Sequence, residues 1–219
     1  AECVFVGGNS QSKMAADVAK LRALAAEAGR DRSQLLVFAL VTVITAATDA
    51  EAEARFADYK QYASSSGALA LMGGWTGIDF SKPELINATA ATSNAIEGAA
   101  AAFTAGGSSA HQDVESIGRA VALGGGGPVL VGGPQRIADQ LEAWAEMADL
   151  DGFNLAYAVM PETFVDVVEH LVPELQRRGL LKKDYAPGTY REKLFGRGPR
   201  LADHHPAAAS RRMWGQQPD

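Results

Sequence analysis

Residues 151–179, DGFNLAYAVMPETFVDVVEHLVPELQRRG, change period at a single proline. Up to Met160 the apolar side chains of Phe153, Leu155, Ala156, Ala158 and Val159 crowd into a run too short for a helix and bare of charge. That is the pattern of a buried strand. Beyond Pro161 the apolar residues recur at three and four, the period of an amphipathic helix. A strand that runs into a helix with no hairpin signal is half of a βαβ unit. The short mouth between the two, Tyr157 to Pro161, is then the place to look for function.

The same pattern repeats outward. CVFVGG, residues 3–8, reads as a short buried strand ended by glycines. Residues 10–28 place Met14, Val18, Leu21, Leu24 and Ala25 on one helical face, with Gly29 as the stop. LLVFALVTVITA, residues 35–46, is continuously apolar and β-branched, as expected of a strand covered on both faces in a parallel sheet. Thr48 or Asp49 caps the next helix, whose first turn is acidic. Residues 67–127 break the rhythm: Gly-rich and aromatic at first, then Ala-rich stretches at 84–104 and 111–123 that read as weak helices. A long segment of this kind between core elements is read as an insertion, a lid or pocket wall. Order resumes with a short strand and a helix that starts near Pro134, a favoured first-turn residue.

The expected class is therefore α/β with a parallel sheet. Its parts are barrel units over 1–66, an insertion or lid over 67–127, last barrel units over 128–180 and a Pro-, Gly- and charge-rich tail over 181–219. A complete eight-stranded α/β barrel takes about 250 residues and eight such units. Three strong strands and one short one are legible here. Their edges call for partners, which are expected from residues preceding Ala1. The sequence opens without Met and is in a strand pattern by Cys3, so it is read as a fragment.

Composition narrows the function classes. The formal charge of −6 argues against nucleic acid, which selects a basic surface. The basic cluster at residues 177–183 sits at a helix end, where it complements the helix dipole. No run spans a bilayer. The lone Cys3, read as a small buried residue, suits a reducing compartment and a cytoplasmic location.

Four segments, AECVFVGG, TGIDFSK, residues 151–180 and DYAPGTYREKLFG, resemble the C-terminal half of the bacterial-luciferase-like flavin monooxygenases. The likeness falls in the branch that holds nitrilotriacetate, dibenzothiophene-sulfone and dimethyl-sulfide monooxygenases, nearest the last. The resemblance implies roughly strands six to eight of a TIM-like (β/α)8 barrel, with a helical insertion before the last strand. It implies a two-component flavoprotein oxidoreductase: FMN arrives as FMNH2 from a separate NADH-dependent flavin reductase, and one oxygen atom of O2 enters a small organic, sulfur-containing or otherwise apolar, substrate. A homodimer is expected by analogy. The resemblance also places most FMN contacts on the first five strands, outside this chain, so a non-catalytic half-barrel acting as scaffold or binding subunit stays open, as does a deazaflavin-dependent relative.

Site candidates follow from the mouth of the parallel strands. Tyr157 and Met160 are expected to line an apolar, water-poor substrate pocket; the alternative is that they cap the core. Trp75 and Phe80 are read as aromatics on a glycine-rich loop, either a lid or an anchor. Gly7 and Gly8, between a strand and a helix start, form a candidate cofactor-binding turn. Asn154 either faces the pocket or bonds local backbone. His111 in the insertion is the candidate acid or base, with a surface residue as the alternative. No nucleophile–base set stands out. The adjacent His204 and His205 lack the spacing of metal ligands, so no metal is expected.

Overall fold

The computed structural model describes residues 1–8, 10–77, 79–81, 114–124, 126–203, 205, 207–208 and 210. Four strands form one sheet among them: β1 (Cys3–Val6), β2 (Leu36–Thr45), β3 (Val129–Gly132) and β4 (Gly152–Ala156). Every pairing is parallel, as the strand–helix rhythm requires. Helices α1 (Gln11–Glu27), α2 (Asp49–Tyr62), α3 (Ser65–Thr76), α4 (Val114–Gly124) and α5 (Pro134–Ala148) fall between them.

The ten-residue β2 is the spine. Phe38 and Ala39 pair with both β1 and β4, so those two strands lie on opposite edges of β2. Thr42 pairs with both β3 and β4, which puts β3 on the same edge as β1. The short strands β1 and β3 thus lie end to end along one side of β2. A bond from the Gly8 N–H to the Gly126 carbonyl oxygen, 2.7 Å, splices them. At Gly127 a Cβ would stand 2.6 Å from the Leu40 carbonyl oxygen, so the splice accepts only glycine there.

Alternation along β2 then sorts the side chains. Val37, Ala39, Val41 and Val43 point to a covered face. They pack on Met14 and Val18 of α1, on Ile137, Leu141 and Trp144 of α5, and on Val167 and Leu171. The opposite face carries Phe5, Phe38, Leu40 and Asn154, held in line by the register. Phe5 is 66% exposed on it. Cys3 shares that face and is half-buried rather than fully buried, because β1 is an outer strand. Burial, with Glu2 and Asp151 nearby, pushes its thiol pKa up, which keeps it protonated and weakly nucleophilic.

Three elements differ from the sequence reading. Residues 65–76 are helical, although their glycines read as loop: the Ser64 hydroxyl accepts from the Gly67 N–H at 3.1 Å and Gly77 closes the helix in the left-handed region. Ala68, Leu69, Ala70, Leu71 and Met72 are strong helix formers and outweigh Gly73 and Gly74. The helix after β4 is interrupted: α6 (Glu162–Asp166) passes through a π turn at Val167–Leu171 into α7 (Val172–Arg177). Pro173 has no N–H and its ring crowds the preceding turn, so the helix widens just before it. In the tail, α8 (Tyr190–Phe195) has a capping box between Thr189 and Glu192. The chain divides into two compact units, Ala1–Leu181 and Lys182–Asp219. Among the described residues no helix is long and apolar enough to cross a membrane.

The basic cluster does more than face a dipole. Arg177 and Arg178 both chelate Glu174, at 2.7 Å each, and hold its carboxyl down to about 2. Arg178 also reaches Asp139 at 2.6 Å, tying α7 to α5.

A denser clamp closes the N-terminal end of the sheet. Asp151 accepts from the Val37 N–H at 2.7 Å, from Arg22 at 2.7 Å and from Arg32 at 2.8 Å. Burial pushes its pKa up, but these bonds outweigh burial and leave it below the usual carboxylate range. Arg32 and Arg22 hold Asp149 low as well. A carboxylate whose folded pKa is depressed stabilises the fold above its ordinary pKa, and that contribution is lost as pH falls through the folded value. Asp151→Asn is expected to cost about 1–3 kcal/mol at neutral pH. Its stability should also fall less steeply than wild type's below about pH 4; urea-unfolding midpoints measured across pH check both.

Candidate functional site

In parallel α/β architectures ligands gather at the C-terminal ends of the strands. Here that end is formed by Gly7 and Gly8 after β1, Ala46 to Thr48 after β2, Gly132 and Gly133 after β3, and residues 157–161 after β4. Two hydrogen bonds fix how the loops meet. Asp49 at the start of α2 accepts from the Gly133 N–H at 2.6 Å, and Arg136 reaches Glu53 at 3.2 Å. A third tie crosses to α6: Arg55 pairs with Asp166 and lies 3.5 Å from the Thr45 carbonyl oxygen. Asp166 is the main reason the Arg55 guanidinium stays firmly charged.

The turn after β4 carries the apolar wall. Tyr157 and Met160 are each 58% exposed, and the Tyr157 ring lies 6.2 Å from the Phe164 ring in a tilted contact. Thr163 holds the turn from beneath. It is buried, and its Oγ1 accepts from the Ala158 N–H at 3.2 Å and the Val159 N–H at 3.1 Å. Thr163 escaped the sequence reading. The signal that could have found it is a Thr in the first turn of a helix that follows a tight Pro turn.

Trp75 and Phe80 do not form one loop pair. Trp75 is on α3, 43% exposed, and lines a groove of about 210 Å³ with Leu71, Met72 and Val121. Phe80 is buried in the turn beyond α3. Gly8 has a left-handed φ of 137°, which favours glycine, and its N–H is taken by Gly126. At the start of α1 the Ser10 hydroxyl accepts from the Lys13 N–H, 3.4 Å. Asn154 is exposed on the open face, and its amide makes no hydrogen bond among the described residues. Buried nearby on that face, the Thr42 hydroxyl likewise has no hydrogen-bond partner among the described residues. His111 and His204 lie outside the described residues. Among the described residues no group of three or more His, Cys, Asp or Glu could hold a metal.

Residues 1–150 match the model of the luciferase-like monooxygenase family. The chain belongs to the luciferase-like monooxygenases. It is 41% identical over 213 residues to dimethyl-sulfide monooxygenase of Hyphomicrobium sulfonivorans, a match covering 96% of this chain and 44% of that protein. It is 40% identical over 215 residues to long-chain alkane monooxygenase of Geobacillus thermodenitrificans strain NG80-2, covering 97% and 44%. Among solved structures, DmoA from Hyphomicrobium sulfonivorans superposes with a TM-score of 0.78 at 39% identity, covering 99% of this chain and 46% of that one. A riboflavin lyase crystallised with modified FMN and riboflavin gives a TM-score of 0.82 at 30% identity, covering 95% and 46%. The chain therefore spans less than half the length of these luciferase-like relatives.

The exposed turn separates two readings of Tyr157 and Met160 in this luciferase-like chain. Side chains that cap a core are expensive to truncate, whereas side chains on an open wall are not. Tyr157→Ala and Met160→Ala are each expected to shift unfolding free energy by less than about 1 kcal/mol. Leu171→Ala, in the core beneath, should cost about 2–5 kcal/mol. Denaturant unfolding of the three variants tests the contrast.

Proposed function

We propose that this chain is the C-terminal part, roughly strands six to eight, of a reduced-flavin-dependent monooxygenase with a (β/α)8 barrel. In this reading a separate NADH-dependent reductase supplies FMNH2. One oxygen atom of O2 enters a small organic substrate that is sulfur-containing or otherwise apolar, and the working protein is a cytoplasmic homodimer. The observation that carries the reading is the near-complete match, at about 40% identity over 96% of this chain, to relatives named as monooxygenases of dimethyl sulfide and long-chain alkanes.

The residues present fit part of a flavin site. The open face offers Phe5, Phe38 and Leu40 as an apolar wall, with the unpartnered Asn154 amide and Thr42 hydroxyl set among them. Such a wall suits a planar heterocycle with polar edges. The turn at Gly7 and Gly8 spends a backbone donor on Gly126, so a phosphate would be held chiefly by other residues. When bound, reduced flavin supplies the electrons that activate O2. This chain's residues would hold substrate and exclude water: Tyr157 and Met160 would form the substrate side of the pocket, the exposed Trp75 would shape its approach while the buried Phe80 anchors the turn beyond α3, and His111 would be the candidate for proton transfer.

The engaged Gly8 donor favours a second reading, a binding half-barrel that never holds flavin by itself. One experiment separates the two. The chain is expressed alone and joined to the coding sequence upstream of it, and each form is given FMN, an NADH-dependent flavin reductase and O2 with dimethyl sulfide or hexadecane. The joined form is expected to bind FMN and release oxygenated product; absence of both in the joined form would exclude the monooxygenase reading.

A further inference from the structure

We infer that Thr163 is the positioning residue of the substrate wall, acting through the turn that carries Tyr157 and Met160. The inference rests on the monooxygenase reading. The turn leaves β4 at Ala156 and enters α6 at Glu162, so five residues must reverse direction at the rim of the sheet. Two consecutive N–H groups, of Ala158 and Val159, point into the protein there and have no strand partner. Both donate to the single Oγ1 of Thr163, at 3.2 and 3.1 Å. The Thr163 N–H returns the contact to the Val159 carbonyl oxygen at 2.9 Å, and the Phe164 N–H donates to the Pro161 carbonyl oxygen at 3.0 Å. The turn is thus bonded back onto the first turn of the helix that follows it.

The consequence is directional. With 158 and 159 pinned inward, the flanking side chains of Tyr157 and Met160 stand outward, and both are more than half exposed. Phe164, next to Thr163, backs the Tyr157 ring. Thr163 is buried and its Oγ1 is engaged by two backbone amides of the turn, so in this reading it acts by setting where two side chains that would touch substrate are held. No other side chain among the described residues bonds these two amides.

The test uses the full-length protein that contains this chain, with reductase-supplied FMNH2, O2 and dimethyl sulfide or hexadecane as probe substrates. Thr163→Val keeps the shape and removes the acceptor; Thr163→Ser keeps the acceptor. Thr163→Val is expected to speed amide exchange at Ala158 and Val159 and to raise KM about tenfold with little change in kcat. Thr163→Ser should restore both. Faster amide exchange with an unmoved KM would leave Thr163 as a fold residue only and overturn the inference, as would amides that stay protected in Thr163→Val. If the wild-type protein turns over neither probe, the monooxygenase reading fails first, and the inference fails with it.

Discussion

The structure depends on the demand of one ten-residue strand for hydrogen-bond partners along both edges. β2 is buried over most of its length, and a buried backbone polar group without a partner is costly. One edge is taken by β4 across residues 38–42. The other needs more length than β1 provides, so β1 and β3 share it in tandem. That arrangement forces the chain through the splice at Gly126 and Gly127 and brings the starts of α1 and α5 to the same end of the sheet. The positions of Gly8, Asp49 and Gly133 follow from it.

The two ends of the sheet are built from different interactions. At the N-terminal end, Arg22 and Arg32 converge on Asp149 and Asp151, which also holds the Val37 amide. Such a clamp resists motion and leaves little that a ligand could use. At the C-terminal end Asp49, Thr163 and the pairs Arg55–Asp166 and Arg136–Glu53 tie the loops, and the large side chains exposed on the turn after β4 are apolar, Tyr157 and Met160. The division matches the rule for parallel α/β folds, stability at one face and chemistry at the other.

The parallel α/β class was legible because continuous apolarity in residues 35–46 and the change of period at Pro161 each have one cheap structural solution. Helix α3 was less legible: Gly73 and Gly74 carry a local penalty that five neighbouring helix formers and the Ser64 cap override. The π turn before Pro173 and the capping box at Thr189 left signals in the sequence, a proline inside a helical period and a Thr-x-x-Glu motif. For the site, strand order alone places Tyr157 and Met160 at the mouth. Periodicity could not separate Trp75 from Phe80, since both are aromatics near glycine, and only packing makes one a groove wall and the other core. Thr163 left only a faint signal, a Thr in the first turn of a helix after a Pro turn, because its role is to satisfy two N–H groups whose exposure depends on the turn's path.

The open face bears on how the proposed activity would be divided along a longer polypeptide. Phe5, Phe38 and Leu40 give a wall that repels water, and the strand residues in register with them include no cation, so the contribution of these strands to an anionic cofactor would be shape and dryness rather than charge. Charge recognition and ring recognition would then come from different strands, and this chain would hold the ring and substrate side. In that proposal dryness on the substrate side would be set by the turn after β4, which presents two large apolar side chains on a bonded frame. Selectivity between a two-carbon sulfide and a long alkane would accordingly reside in how far Tyr157 and Met160 reach across the opening, a length that substitution at those two positions changes without touching the sheet beneath.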